Sequence, residues 1–332
     1  MRIPRTRHIG VVIACALAAS AACDGSTKTP EVRTCRGATA LSVENIVGTS
    51  LPDKTLALTF DDGPGVRTAE LSTWLASEGV RAAFFVNGKM IASTPGGSDV
   101  VAQLARDGHL VANHTQTHRS LTGRMTGAPR LSPAEAVAEL AETDALIAPY
   151  AGARLLFRAP FGDYDAETAA VLQGSPMAKY VGPIFWDIGD HMGPSQAADW
   201  DCWVPGSDHE VLTPQQCGAR YAAEIERVGR GIVLLHDPYF PDDDPARGGT
   251  VEMVKQLVPA LRAKGYTFVR VDEVPAIAEL LPPVDAGAPT SVDAGPPSNT
   301  SPDATPEAGT PRQERAERGV EDAATPADPC AR

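Results

Sequence analysis

The chain has 332 residues, which is enough for one large domain or two domains of ordinary size. Hydrophobic residues make up 43% of the chain and charged residues 21%, and no apolar run beyond the N-terminal region is long enough to cross a bilayer. This excludes a protein with several membrane spans. The formal net charge of −13 argues against a nucleic acid as the partner, because the phosphate backbone attracts basic proteins.

The N-terminus has the pattern of an export signal. A basic start precedes an apolar stretch from Ile9 to Ala19, and small residues follow it up to Cys23. We therefore predict a signal peptide over residues 1–22 and an extracytoplasmic protein. Cys23 stands where a lipoprotein carries its lipid, but Ser20 replaces the Leu that such a site usually has. The sequence thus leaves open a secreted protein or one anchored through a lipid on Cys23.

Residues 51–281 alternate between strand-like apolar runs and helix-like stretches with apolar residues at three- and four-residue spacing. The predicted strands are Thr55–Phe60, Val80–Val86, His109–Ala112, Leu155–Arg158, Tyr180–Trp186, Gly231–Leu235 and Tyr266–Val271. The predicted helices are Thr68–Ser77, Val100–Arg106, Pro133–Ile147, Ala166–Leu172, Pro214–Val228 and Val251–Ala263. Repeated strand–helix units predict parallel strands in an α/β fold, and about seven strands suit a distorted (β/α) barrel, with an open doubly wound sheet as the alternative.

Polar segments flank this single predicted domain. Residues 23–50 are predicted to be a polar lead-in. The tail over residues 282–332 has no aromatic residue and is rich in Pro, Ala and Asp, so it cannot bury enough apolar surface to offset the entropy of ordering. We predict that this tail is disordered and acts as a spacer.

Four cysteines remain once Cys15 and Cys23 are assigned to the signal and to the candidate lipid site. Cys202 and Cys217 close a short loop, and an exported protein meets an oxidising compartment, so this pair is the first choice for a disulfide. A bridge between Cys35 and Cys330 follows only by elimination.

Two carboxylates end the first predicted strand. Asp61 and Asp62 precede Gly63-Pro64, at the strand end where both candidate architectures place functional groups. Neighbouring side chains of an extended backbone point in different directions, so these two carboxylates are predicted to have different roles. The same four residues would also suit an ordinary turn.

Two histidines follow the third predicted strand. His114 and His118 are four residues apart, and they lie on one face if the segment turns helically. Together with a strand-end carboxylate they form a set of two imidazoles and one carboxylate, which leaves an open position as in a catalytic zinc site. The alternative is a pair of surface histidines in a loop.

The fourth and sixth predicted strands also end in groups that suit catalysis. Arg158 at a strand end beside carboxylates would orient one of them and lower its pKa. His236 follows four apolar residues, so its body would lie in the core and its polar tip at the rim. This placement, among other titratable strand ends, favours a general acid.

Taken together, these segments resemble the motifs of the polysaccharide deacetylases (NodB-like domains, carbohydrate esterase family four) in order and spacing. The resemblance covers roughly residues 50–280 and implies a distorted (β/α) barrel. The segments that carry it are Thr59–Pro64, His114–His118, Arg158–Gly162 and Leu234–His236.

The resemblance implies a role for each matching residue. Asp61 would be the general base for the attacking water, Arg158 would hold Asp61 in place, and His236 would protonate the leaving group. The metal ligands would be Asp62, His114 and His118, with Zn²⁺ or another divalent ion such as Co²⁺.

The resemblance also implies substrate contacts and a support for the acid. Pro160, Phe161 and Leu234 would bind substrate, with the backbone N–H of Phe161 facing the oxyanion and Leu234 lining the slot for the acetyl methyl group. Phe161 replaces the Tyr that is usual in the family. The family also has an Asp-Trp pair whose Asp steadies the acid histidine; Asp199 is favoured for it, with Asp187 and Asp190 as alternatives.

The sequence therefore predicts a metal-dependent hydrolase that removes acetyl groups from an extracytoplasmic polysaccharide. The N-acetylglucosamine of peptidoglycan or chitin oligomers is the first choice of substrate, and acetylxylan is the alternative. A carbohydrate-binding surface protein with a dead site and a small-molecule amidase are the other readings. A monomer is expected. The linkage, the preference for N- or O-acetyl groups, the native metal and the role of the tail are left open.

Overall fold

The computed structural model describes residues 41–206, 210–237 and 249–283. The predictions for the signal peptide, Cys23, the Cys35–Cys330 bridge and the tail beyond residue 283 fall outside these residues. Within them, none of the helices combines the length and apolar character that crossing a bilayer requires.

Within the described ranges the chain forms short parallel strands separated by helices. The strands are β1 (Leu41–Ile46), β2 (Thr55–Asp61), β3 (Ala83–Val86), β4 (Leu110–Asn113), β5 (Gly182–Ile184), β6 (Gly231–His236) and β7 (Thr267–Phe268). The helices are α1 (Thr68–Ser77), α2 (Gly88–Ser93), α3 (Gly97–Arg106), α4 (Pro133–Ala151), α5 (Ala166–Gln173), α6 (Asp199–Cys202), α7 (Pro214–Val228), α8 (Gly249–Ala263) and α9 (Pro275–Ala278).

The strands close into an irregular ring. The main sheet has the order β4-β3-β2-β6, and β7 pairs with the start of β2. Beyond β4, single parallel bridges link Asn113 to Phe157 and Leu156 to Val181, and a bridge from Ile188 to Val233 returns to β6. This closure confirms the predicted distorted (β/α) barrel and excludes the open doubly wound sheet. The predicted strand Leu155–Arg158 contributes only isolated bridges, so regular strand pairing is interrupted there.

The first strand corrects one predicted boundary. Residues 41–46, which the sequence analysis assigns to the polar lead-in, form β1 and pair in parallel with β5. Leu41 and Ile46 at its two ends are buried, whereas Val43 between them is 55% exposed. Because only the two end residues of β1 are buried, its sequence lacks the alternation of apolar and polar residues that predicts a strand.

Burial on both sides explains the apolar runs of the central strands. All seven residues of β2 are buried, because its even-numbered side chains pack against the helices and its odd-numbered side chains point into the barrel. The helix starts follow local rules: Ser132 caps α4 in a reciprocal capping box with Glu135, as its sequence predicts.

A disulfide between Cys202 and Cys217 joins the short helix α6 to α7, as predicted. Because the bridge closes a loop with a sequence separation of 15, we expect the Cys202→Ser/Cys217→Ser variant to lose about 3 kcal/mol in free energy of unfolding. Urea unfolding of the wild type and of the double variant measures this directly. Equal midpoints and slopes would show that the bridge does not restrict the unfolded chain.

Candidate active site

The register of two neighbouring strands places a carboxylate and an imidazole side by side. In the parallel pair of β2 and β6, Asp61 is aligned with His236 and Thr59 with Leu234. Side chains alternate along a strand, so the odd-numbered residues of β2 and the even-numbered residues of β6 both point to the inner face of the barrel. Asp61 and His236 therefore meet at the carboxyl end of the barrel, where the strand-end rule places chemistry.

Asp62, His114 and His118 form a compact polar cluster at this end. Their ligand atoms all lie within 4.8 Å of one another. The Oδ1 atom of Asp62 is 3.4 Å from Nε2 of His114 and 3.1 Å from Nε2 of His118. Asp62 and His118 both adopt left-handed backbone conformations, with φ of 69° and 58°, which turn their side chains toward the cluster. The structure therefore brings together the three residues that the sequence analysis predicts as metal ligands.

Two further observations test whether a cation fits this cluster. The Oδ1 atom of Asp62 is buried, and among the described residues it has no hydrogen-bond partner. Nδ1 of His114 lies 2.9 Å from the carbonyl oxygen of Arg158, and a donated hydrogen bond there leaves the Nε2 lone pair facing Asp62. Burial lowers the pKa of His114 to about 3, which keeps this ring neutral. An orphaned carboxylate oxygen facing two imidazole nitrogens fits a divalent ion.

Asp61 is held by a buried arginine. Its Oδ1 atom accepts a hydrogen bond of 2.6 Å from Nη1 of Arg158, whose side chain is fully buried. Arg158 also donates to Thr59 and lies over the ring of Phe85, with 4.2 Å from its guanidinium carbon to the ring centroid. Burial raises the pKa of Asp61, and the positive charge of Arg158 only partly opposes it. The sequence analysis expected Arg158 to lower that pKa; its contribution has the expected sign but burial is larger.

His236 is supported by Asp199, the first residue of α6. Nδ1 of His236 lies 2.7 Å from Oδ1 of Asp199, and the backbone N–H of His236 donates to Oδ2 at 2.7 Å. Burial acts to lower the pKa of His236, but the charge and hydrogen bond of Asp199 outweigh it and raise that pKa to about 9. The imidazole is therefore protonated at neutral pH, as a proton donor must be.

The two alternative carboxylates have other partners. Asp187 accepts the backbone N–H groups of Gly48 and Ile232 at 2.7 and 2.8 Å. Asp190 contacts the indole nitrogen of Trp186 at 3.0 Å. Of the three carboxylates, Asp199 is therefore the one that the structure places against His236.

Comparison with known proteins agrees with this geometry. Residues 48–178 match the family model described as polysaccharide deacetylase. A chitooligosaccharide deacetylase of Rhizobium leguminosarum bv. trifolii is 32% identical over 227 residues, which span 65% of this chain and 89% of the relative. The chain belongs to the polysaccharide deacetylase family. It is thus an enzyme of the hydrolase class, in agreement with the resemblance found in the sequence.

Further comparisons support the family and its fold. A chitin deacetylase of Colletotrichum lindemuthianum is 30% identical to this polysaccharide deacetylase over 222 residues, covering 66% of the chain and 78% of the relative. The crystal structure of a peptidoglycan N-acetylglucosamine deacetylase superposes with a TM-score of 0.50 at 19% identity, covering 67% of this chain and 88% of that one. At this identity the superposition shows a shared fold.

The polar groups open into a cleft of about 390 Å³. Phe161 is 43% exposed on its wall, with φ of 59°, and its ring packs edge-on against His118 with centroids 4.5 Å apart. Leu234 lines the same cleft. Pro160, which the sequence analysis includes among the substrate contacts, is buried beneath this turn and is not among the described residues that line the cleft.

Sequence reasoning missed several cleft residues of this deacetylase. Met125, Trp186 and Trp200 line the cleft and are not among the predicted site residues. Asp190, which the sequence offers only as an alternative support for His236, lines the cleft too. Trp200 follows Asp199 in the Asp-Trp pair, which is the one signal that pointed to it. Trp203, in the same loop, is only 6% exposed and belongs to the core.

Proposed function

We propose that this deacetylase removes acetyl groups from the N-acetylglucosamine units of an extracytoplasmic polysaccharide, with chitin oligomers or peptidoglycan as substrate. The arrangement of Asp61 and His236 beside the cluster of Asp62, His114 and His118 carries the proposal. Two relatives named for chitin and chitooligosaccharide deacetylation support the substrate class. The extracytoplasmic location rests on the N-terminal export pattern, and lipid attachment at Cys23 stays a prediction.

Asp62, His114 and His118 would hold a divalent ion, Zn²⁺ or Co²⁺, through one carboxylate oxygen and two imidazole nitrogens. Three protein ligands leave open positions, as catalytic metal sites do. When bound, such an ion supplies positive charge that polarises the acetyl carbonyl and lowers the pKa of water.

The chain's own residues divide the proton transfers between them. Asp61, whose pKa is raised by burial, takes a proton from the water that attacks the acetyl carbon. Arg158 fixes that carboxylate through Nη1 and keeps it from rotating. His236 donates its Nε2 proton to the leaving nitrogen as the C–N bond breaks. The backbone N–H of Phe161 donates to the oxyanion, and Leu234 closes the cleft around the acetyl methyl group.

Acetate release from a panel of polymers tests the proposal. We expect release from chitin oligomers and peptidoglycan, a loss of release when a chelator is present, and recovery when Zn²⁺ is added back. Release from acetylxylan alone would assign O-deacetylation instead. Binding to chitin oligomers without any acetate release would identify a carbohydrate-binding protein with a dead site and overturn the proposal.

The metal ligands are tested separately from activity. We expect His118→Ala to lower the affinity for Zn²⁺ at least ~100-fold, because removing a direct ligand costs more than removing a residue that only orients one. Titration calorimetry of the purified variant measures this affinity. His191→Ala is the matched control, since His191 is exposed and contacts Asp190 outside the cluster. Unchanged affinity in His118→Ala would remove His118 from the ligand set.

A further inference from the structure

A chain of buried hydrogen bonds lies behind Asp199. The indole N–H of Trp203 donates to Oγ1 of Thr250 at 3.2 Å, and Oγ1 of Thr250 donates to Oδ2 of Asp199 at 2.8 Å. That same oxygen accepts the backbone N–H of His236. Trp203, Thr250 and Asp199 are 6%, 1% and 0% exposed, so water does not compete for these bonds. Thr250 directly, and Trp203 through Thr250, thus support the carboxylate that contacts His236, and neither residue lines the cleft.

The donors in this chain have a fixed direction. An indole nitrogen only donates, so Trp203 occupies an acceptor position on the Thr250 hydroxyl. The single hydroxyl proton of Thr250 is then directed to Asp199. Tyr221 fixes the backbone here: it accepts the backbone N–H of Asp199 at 2.9 Å and donates to the carbonyl oxygen of Leu234 at 3.1 Å. The Thr250 hydroxyl and the backbone N–H of His236 are thus the donors that Oδ2 of Asp199 accepts, and together they restrict rotation of the carboxylate.

From this geometry we propose that Thr250 and Trp203 are positioning residues for the proton transfer from His236 to the leaving nitrogen. They act through Asp199, by holding its Oδ1 atom on Nδ1 of His236. The proposal rests on the proposed role of His236 as the acid. Without the Thr250 hydroxyl, Oδ2 of Asp199 keeps only the bond from the backbone N–H of His236, so the carboxylate is held less firmly and the imidazolium is less well aligned with the substrate.

Two substrates with different leaving groups distinguish a misaligned proton donor from general damage to the cleft. When an N-acetyl amide is cleaved, water adds OH to the acetyl carbon, the C–N bond breaks, and the nitrogen needs a proton from His236 to leave as an amine. When an aryl acetate is cleaved, the C–O bond breaks and the phenolate leaves with its electron pair without being protonated. A weakened proton donor therefore slows amide cleavage and spares aryl acetate cleavage, whereas a damaged cleft slows both.

Four variants of the full chain test the proposal. Thr250→Val keeps the shape but removes the hydroxyl, and Thr250→Ser restores it. Trp203→Phe removes the indole donor together with part of a buried ring. Thr55→Val is the matched control, because Thr55 is a buried threonine at the opposite end of β2, where it contacts Thr267. The measurements are kcat and KM for chitin oligomer deacetylation, kcat for 4-nitrophenyl acetate, and bound Zn²⁺.

We expect Thr250→Val to lower kcat on the oligomer about tenfold, the scale of one hydrogen bond to a charged group, with KM, bound Zn²⁺ and aryl acetate hydrolysis unchanged. Thr250→Ser should recover the oligomer kcat, and Trp203→Phe should lower it by a smaller factor. If Thr250→Val does not fold, the oligomer kcat of Trp203→Phe is used instead. If the wild type does not hydrolyse aryl acetate, recovery of the oligomer kcat in Thr250→Ser is the deciding measurement.

Wild-type oligomer kcat in Thr250→Val, or an equal loss on both substrates, would overturn the positioning role. Asp199→Asn separates this failure from failure of the proposed function. If Asp199→Asn is impaired and Thr250→Val is not, only the role of Thr250 is lost. If Asp199→Asn is fully active, the assignment of His236 as an acid supported by Asp199 fails as well.

Discussion

Replacement of Asp61 with Asn is expected to lower kcat for deacetylation at least ~100-fold while bound Zn²⁺ stays at the wild-type level, because the change removes a general base but no metal ligand. An amide has no lone pair basic enough to take a proton from water. Its oxygen can still accept the hydrogen bond from Nη1 of Arg158, so the local geometry is kept. Steady-state acetate release and metal analysis of the same preparation measure both effects.

The Asp61→Asn variant is also expected to be less stable than the wild type, because Arg158 is buried beside Asp61. Asn leaves the guanidinium of Arg158 without a counter-ion in a fully buried position, and an unpaired buried charge is strongly destabilising. Urea unfolding therefore accompanies the kinetics, so that activity is compared at equal folded fraction. Asp53→Asn is the matched control, since Asp53 is 84% exposed beside Arg230 and lies before β2. Wild-type turnover in folded Asp61→Asn would assign the base to another group.

Local sequence rules predict which of the candidate site residues lie close together, because these placements depend on short-range geometry. Asp61 and His236 each end an apolar run, and parallel strands deliver their carboxyl ends to one side of a barrel. The spacing of His114 and His118 indicates that both could bind one metal ion, and the structure brings both beside Asp62. These inferences required only strand direction and the order of the motifs along the chain.

Other features depend on tertiary packing that no local pattern reports. The sequence favours Asp199 over Asp187 and Asp190 as the support for His236, but only the packing of α6 shows which carboxylate reaches the imidazole. The hydroxyl of Thr250 comes from α8, about fifty residues further along the chain than Asp199, and its contact is set by helix packing. The pKa of Asp61 depends on the balance of burial and charge, whose larger member was not visible in sequence.

Replacement of Asp199 with Asn is expected to lower kcat at neutral pH about 100-fold and to move the alkaline limit of activity to lower pH, since general acid catalysis needs a protonated imidazole. The pKa of His236 is subject to burial, which lowers it, and to Asp199, which raises it to about 9. Besides Asp199 on α6, Asp61 and Asp62 at the end of β2 face this imidazole and favour its charged form. With the carboxylate of Asp199 gone, the contribution that most raises this pKa is lost, so the ring loses its proton at a lower pH than in the wild type.

The profile of kcat against pH distinguishes this result from a general loss of structure. The wild type should keep its activity up to about pH 9, where His236 loses its proton, and Asp199→Asn should decline at a clearly lower pH. Asp187→Asn is the control: Asp187 was an alternative support, and its carboxylate contacts backbone N–H groups instead. An alkaline limit that moves in Asp187→Asn and not in Asp199→Asn would reverse the assignment.

The same pKa shift makes a separate statement about folding stability. A histidine whose pKa is raised in the folded state contributes stability that is complete below its unfolded pKa of about 6.5 and is lost as the pH rises through about 9. The stability that Asp199 gives through His236 should therefore be largest in mildly acidic solution. Urea unfolding at pH 6 and at pH 9.5 should show a smaller difference between wild type and Asp199→Asn at the higher pH. A difference that grows with pH would mean that His236 is neutral in the folded protein, and the proton donor would then have to be sought elsewhere in the cleft.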